Sequence, residues 1–194
     1  MKSLMTAPKA LTHTLGELTL HCAIAYRSID SDNPERLALI KHLVSVRPDF
    51  LEQKSSEGFT PLQVAVHANR PSIVSYLISC GANQRHRDKF GRNMVHSLLV
   101  YPKTWDIKND VEVLNDMLKE FDKEAVKEML VERAMVQPGA LTPLAYWMAK
   151  NTQYKKSDII EALSKYSNGE ELEMINGEGD LPLHVVGFRL LIPS

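Results

Sequence analysis

The sequence predicts an all-α chain of repeated helix pairs, stacked as a solenoid of about four to five units with finger loops between them. Three observations predict it. A pattern of Gly, a short spacer, a small-polar or Pro residue and an apolar helix start recurs at GELTLHCA (16–23), GFTPLQVA (58–65), GRNMVHSL (91–98), GALTPLAYW (139–147) and GDLPLHVV (179–186). Cap-then-Pro pairs, Asn33-Pro34 and Thr60-Pro61, mark helix starts, because Pro at the first helical position loses no hydrogen bond. Apolar residues then recur at helical spacing in adjacent short segments.

Composition bounds the class. The chain has 194 residues, a formal net charge of -1, 44% apolar and 24% charged residues. That is enough chain to bury a core, and too apolar for a disordered chain. The balanced charge gives no bulk attraction to nucleic acid or to an anionic membrane, so neither is an expected partner. Cys22 and Cys80 are isolated, with no C-x-x-C pair, and read as reduced thiols of an intracellular protein, cytoplasmic or nuclear. The N-terminus has no continuous apolar stretch of the signal type, and no segment reaches membrane-span length.

The second unit is the clearest. Thr60 can cap a helix whose Leu62, Ala65 and Val66 share one face. Asn69, Arg70 and Pro71 interrupt it. Ile73, Val74, Leu77 and Ile78 form a second stripe, and Gly81 follows as a residue able to take a positive φ. Two such helices cannot bury their apolar faces alone and must stack on neighbours. The first unit reads as helices near 18–27 and 34–46, the third as helices near 93–100 and 109–120. The amphipathic KEAVKEMLVERAM (123–135) reads as an inserted helix. The fourth unit reads as helices near 142–150 and 157–166, and the fifth has room for its first helix alone. The expected organisation is an extension at 1–13 followed by units at about 14–54, 55–87, 88–137, 138–175 and 176–194, with insertions at 28–34 and 101–135. Leu190, Leu191 and Ile192 leave the last unit apolar. The chain is therefore expected to be a fragment of a longer protein or to meet a partner there.

The anchors Leu20, Leu62, Val95, Leu144 and Leu183 are separated by 42, 33, 49 and 39 residues. The motif Thr60-Pro61-Leu62-Gln63-Val64-Ala65, and the Cys80-Gly81-Ala82-Asn83 that closes its unit, resemble the ankyrin repeat family, whose period is 33 residues and whose signature is T-P-L-H-x-A. Thr19-Leu20-His21-Cys22-Ala23 lacks the Pro and Leu181-Pro182-Leu183-His184 lacks the Thr. The fourth unit departs furthest. Gly139 stands one residue too far from Thr142, and Trp147 fills a position that is usually small, so its packing must differ. The resemblance covers roughly residues 14–188. It implies that His21, His96 and His184 order the loops between units. It also implies partner binding through the fingers and the exposed face of the first helices, which marks Glu17, Tyr26, Phe59, His67, Lys89, Phe90, Arg92 and Tyr101.

Catalytic readings fare worse. HRDKFGRN (86–93) fits the kinase catalytic-loop pattern, but no Gly-rich loop precedes it and no D-F-G follows. On the 33-residue register it becomes the end of one unit, a finger tip at Lys89-Phe90, and the start of the next, with Asn93 as a cap in the slot of Thr60. No H-E-x-x-H, C-x-x-C, G-x-S-x-G or Walker sequence occurs, so no catalytic residue, metal or cofactor is expected. Arg85, Arg87, Lys89 and Arg92 make this finger basic. Glu170, Glu171, Glu173, Glu178 and Asp180 make a run expected to be a solvated face, or an acidic finger for a basic partner. Trp105 is expected to fold back onto the third unit. The expected function is a non-enzymatic protein–protein interaction module that binds a protein through the concave surface. The alternatives are a regulatory or self-assembling domain of a larger protein and, from another class, a phosphoryl-transfer enzyme.

Overall fold

The computed structural model describes residues 18–25, 33–100, 107–136, 139–150, 156–167, 169–176, 179 and 182. The described residues are predominantly helical, and the chain divides into two compact units, Met1–Asn83 and Gln84–Ser194. The all-α expectation holds.

The first unit contains α1 (Thr19–Ala25), α2 (Pro34–Val46), a 3-10 turn (Pro48–Glu52), α3 (Pro61–His67) and α4 (Pro71–Ser79). Helix α1 packs on α2 and on α3, and α3 on α4, so two helix pairs lie side by side. Leu20, Ile24, Ile40, Leu62, Val66, Ile73 and Leu77 fill the space between them. Local chemistry sets each end. The Asn33 side chain accepts from Glu35 N at 2.7 Å to start α2. Thr60 and Gln63 cap α3 reciprocally: Gln63 N donates to Thr60 Oγ1 at 3.4 Å, and Thr60 N donates to Gln63 Oε1 at 3.2 Å. Both α3 and α4 end by the same device. Asn69 (φ 54°) and Gly81 (φ 90°) turn left-handed, and the next residue's N–H reaches back to Ala65 O and Leu77 O, each at 3.0 Å.

The second unit contains α5 (Met94–Val100), α6 (Ile107–Lys119), α7 (Lys123–Val131), β1 (Ala134–Val136), β2 (Gly139–Leu141), α8 (Pro143–Lys150), α9 (Lys156–Ser164) and α10 (Glu170–Glu173). Helix α5 packs on α8, α6 on α9, and the inserted α7 lies against α5 and α8. Two expectations are corrected here. The inserted helix stops at Val131, not 135, because Ala134–Val136 pairs antiparallel with Gly139–Leu141, in the register Ala134↔Leu141, Met135↔Ala140 and Val136↔Gly139. The acidic run is not a solvated face throughout. Residues 170–173 form a helical turn, and Glu171 is buried, accepting from Ser167 Oγ at 2.5 Å. Trp147 is buried with Leu144, Ala145 and Met148, so α8 is enclosed where a repeat of the usual pattern would leave a small residue. Neither Cys22 nor Cys80 is joined in a disulfide. No described helix is long and apolar enough to cross a membrane.

Candidate partner-binding surface

The finger around Phe90 is built from one buried carboxylate. Asp88, whose side chain is fully enclosed, accepts from Phe90 N at 2.8 Å, from Arg92 N at 2.9 Å and from Arg92 Nε at 2.6 Å. Asp88 N donates to Arg92 O at 3.0 Å, and Gly91 N to Asp88 O at 2.9 Å, which closes a hairpin over Gly91 (φ 75°). The first unit makes the same hairpin with Ser55. Ser55 N donates to Phe59 O at 2.9 Å, Gly58 N to Ser55 O at 2.9 Å, and Phe59 N to Ser55 Oγ at 3.2 Å. Ser55, Gly58 and Phe59 each stand 33 residues before Asp88, Gly91 and Arg92. With its side chain fully enclosed and its oxygens holding two backbone N–H groups and Arg92, Asp88 is placed as the brace of a turn, out of reach of a substrate hydroxyl. The kinase-like reading of HRDKFGRN fails on that geometry.

The hairpin presents Phe90 at 40% exposure, with Lys89 Nζ 5.1 Å and Arg92 Cζ 4.9 Å from its ring centroid. Such contacts hold an exposed aromatic in a limited range of positions. The finger's other cations are engaged. Arg85 Nε donates to Glu128 Oε2 at 2.6 Å, and Arg87 Nη2 pairs with Glu132 Oε1 at 2.6 Å. The segment 85–92 is therefore less basic at its surface than its sequence suggests, and it is tied to α7 instead of projecting alone.

The sequence did not single out Met135. It is 77% exposed, and its N–H donates to Phe90 O at 2.8 Å, so the β1 backbone runs alongside the finger tip. The helical pattern of 123–135 concealed it. The turn dipeptide Pro138-Gly139, with short β-compatible flanks, was the available signal.

The other site residues separate into groups. Phe59 and His67 are half-buried and meet ring to ring, with centroids 6.1 Å apart. Glu17, Tyr26 and Tyr101, like Trp105 and His184, lie outside the described residues. His21 and His96 hold loops in place, as the resemblance implies. His21 Nε2 donates to Phe59 O at 2.8 Å and His96 Nε2 to Leu141 O at 3.0 Å. Burial pushes both rings below the ordinary histidine range, against the pull of these carbonyls, and takes His96 down to about 4. Asn93 caps α5 by accepting from His96 N at 3.1 Å. Its amide also donates to Met129 O at 2.8 Å and to Glu132 Oε2 at 2.7 Å, so the cap is joined to the end of α7. Among the described residues no group of three or more His, Cys, Asp or Glu side chains is placed to hold a metal ion.

Comparison with known proteins agrees with the helix-pair geometry. The ankyrin repeat family model matches residues 57–89. Similar curated proteins include alpha-latroinsectotoxin-Lt1a of Latrodectus tredecimguttatus, 36% identical over 34% of this chain, and alpha-latrocrustotoxin-Lt1a of the same species, 40% identical over 27%. Phosphocholine transferase AnkX of Legionella pneumophila subsp. pneumophila is 27% identical over 47% of the chain. These matches span only 5%, 4% and 9% of the three relatives.

Proposed function

We propose that this chain, which carries an ankyrin repeat at residues 57–89 in an all-α ankyrin-type fold, is a non-catalytic module that binds a protein partner through its finger hairpins and first-helix residues. Ankyrin repeats generally mediate protein–protein interactions. The observation that carries the reading here is Phe90, an exposed aromatic on a hairpin fixed by a buried Asp88–Arg92 pair. An aromatic already held in place loses little entropy on binding, and aromatic and Arg side chains are enriched at binding hot spots. Phe59 and His67 supply the corresponding ring pair in the first unit. A second reading is a regulatory domain of a larger protein, which a chain matching a small part of its relatives would fit, and the intracellular location expected from the sequence is part of the proposal.

The test is affinity capture from cells expressing the full chain, against the Lys89→Ala, Phe90→Ala double variant. Arg92 is left in place because its loss would strand the buried Asp88 carboxylate. Partners captured by the wild type should be lost from the variant. Equal recovery of every specific partner would sink the assignment of this face.

A further inference from the structure

We propose that this chain also forms a weak dimer, with the outer stripe of α2 laid antiparallel on the same stripe of a second copy.

Leu39, Leu43 and Val46 fall at i, i+4 and i+7 of α2, so they make one continuous stripe along a single helix. Leu39 and Val46 are 44% and 61% exposed, and Leu43 is half-buried. The core side of the helix is separate and carries Ile40 and Val44. The stripe also points away from α4. Lys41 Nζ lies 5.6 Å from the Tyr76 ring centroid, which sets the Lys41 flank of α2 towards α4. Two residues turn an α-helix by about 200°, so Leu39 looks the other way. Pro34 and Pro71 open the two helices, and Leu39 and Tyr76 hold the same position after them. The flank that α4 turns towards α2 is thus the flank that α2 leaves open. Helix pairs of a repeat bury such flanks by stacking.

Charge selects the occupant. Glu35 is exposed at the N-terminal end of the stripe and Arg47 at its C-terminal end. Among the described residues the Glu35 carboxylate pairs with no cation. Arg47 is held in place. Its Nε and Nη2 donate to Asp49 at 2.9 and 2.7 Å, and its Cζ lies 4.7 Å from the Phe50 ring centroid, which leaves Nη1 for a further acceptor. When two α2 helices cross antiparallel, about a two-fold axis level with Lys41, Leu39 of each copy meets Leu43 of the other and Glu35 meets Arg47 of the other. The pairing is isologous, so each contact is made twice. A parallel pairing would set Glu35 against Glu35. One helix-to-helix contact is small beside a stable interface, so the dimer is expected only at high protein concentration. It goes beyond the binding of another protein and does not depend on it.

Sedimentation velocity of the full chain over a rising concentration series tests the proposal. The wild type should shift from monomer towards dimer. Leu39→Asp should stay monomeric, and its partly exposed position keeps it folded, as circular dichroism would check. Glu35→Lys and Arg47→Glu each set like charges together and should be monomeric alone. Mixed in equal amounts, these two variants match opposite charges at both ends and should dimerise. A wild type that stays monomeric, a Leu39→Asp variant that still dimerises, or a mixture that fails to recover would each overturn the proposal. The Lys89→Ala, Phe90→Ala variant keeps the α2 stripe and should dimerise as the wild type does, so failure here and failure of the partner-binding face are read separately. Loss of the dimer in that variant would place the interface at the finger and overturn this one.

Discussion

His96 Nε2 donates to the carbonyl of Leu141 at 3.0 Å, joining the first turn of α5 to the residue just before the Thr142 cap of α8. His21 makes the same bond to Phe59, the residue just before the Thr60 cap of α3. In each compact unit a buried imidazole thus fixes where the next first helix begins. Since a carbonyl only accepts, the neutral ring must carry its proton on Nε2. His96 Nδ1 is left to face Asn93.

That arrangement predicts acid sensitivity. Burial takes the His96 pKa from 6.5 down to about 4, so the folded state resists a proton that the unfolded chain accepts. The stability this represents is present above pH 6.5 and is lost progressively as pH falls towards 4, by about 3 kcal/mol in full. His21 is shifted in the same direction by the same cause and adds to the slope. Gln is the natural control at position 96, because Gln63 occupies the equivalent slot of α3 and completes a capping box there. Urea unfolding of wild type and His96→Gln across this pH window should show a shallower pH dependence for the variant. Parallel curves would exclude His96 as the source.

The Asp88 hairpin predicts a graded series. Asp88→Ala removes the acceptor of three bonds and leaves the Arg92 guanidinium, 14% exposed, without its partner. Breaking a buried pair in this way costs about 3 kcal/mol. Asp88→Ser should lose less, because Ser55 already holds the equivalent hairpin with one hydroxyl. Chemical denaturation should rank wild type, Ser and Ala in that order, and an Ala variant as stable as the Ser variant would contradict the geometry.

Much of this was legible in the sequence, for physical reasons. Short helices announced by Thr60-Pro61 and Asn33-Pro34 form where the caps place them, since a cap acts on its own first turn. The finger register followed from Gly58 and Gly91, both at positive φ. What stayed hidden depends on residues distant in sequence. Met135 reads as the end of an amphipathic helix until its N–H is paired with Phe90. The charges of Arg85 and Arg87 read as a basic surface until Glu128 and Glu132, some 40 residues on, are brought against them. Glu171 reads as solvated until Ser167 donates to it in a buried turn.

Glycines at the finger and at the end of α4 give a comparison of strain alone. A Cβ at Gly91 would come no nearer than 3.7 Å to Ala134 Cα, and at Gly81 it would meet nothing within 4 Å. Neither substitution creates a clash, so each carries only the left-handed backbone penalty of an L-residue, at φ 75° and 90°. Gly91→Ala and Gly81→Ala should therefore each cost about 1 to 2 kcal/mol and differ little. Thermal unfolding would reveal a much larger loss at Gly91 if the hairpin and β1 were packed more tightly than this spacing.

Two caps in the same register slot should differ sharply when truncated. Thr60 serves α3 alone, through its hydroxyl and the reciprocal Gln63 bond, and Thr60→Ala should cost about 1 kcal/mol. Asn93 does more with one side chain. It accepts from His96 N, and its amide donates to Met129 O at the end of α7 and to the Glu132 carboxylate that also holds Arg87. Asn93→Ala loses the cap and leaves a buried carbonyl and half of an ion-pair network unsatisfied, adding about 1 to 3 kcal/mol to the cap's own worth. Asn93→Asp keeps the capping oxygen but sets a second carboxylate 2.7 Å from Glu132, so it should fare no better than Ala. Denaturant midpoints for the three variants test this. If Asn93→Ala cost no more than Thr60→Ala, the bonds to α7 would add nothing and the cap would act on α5 alone.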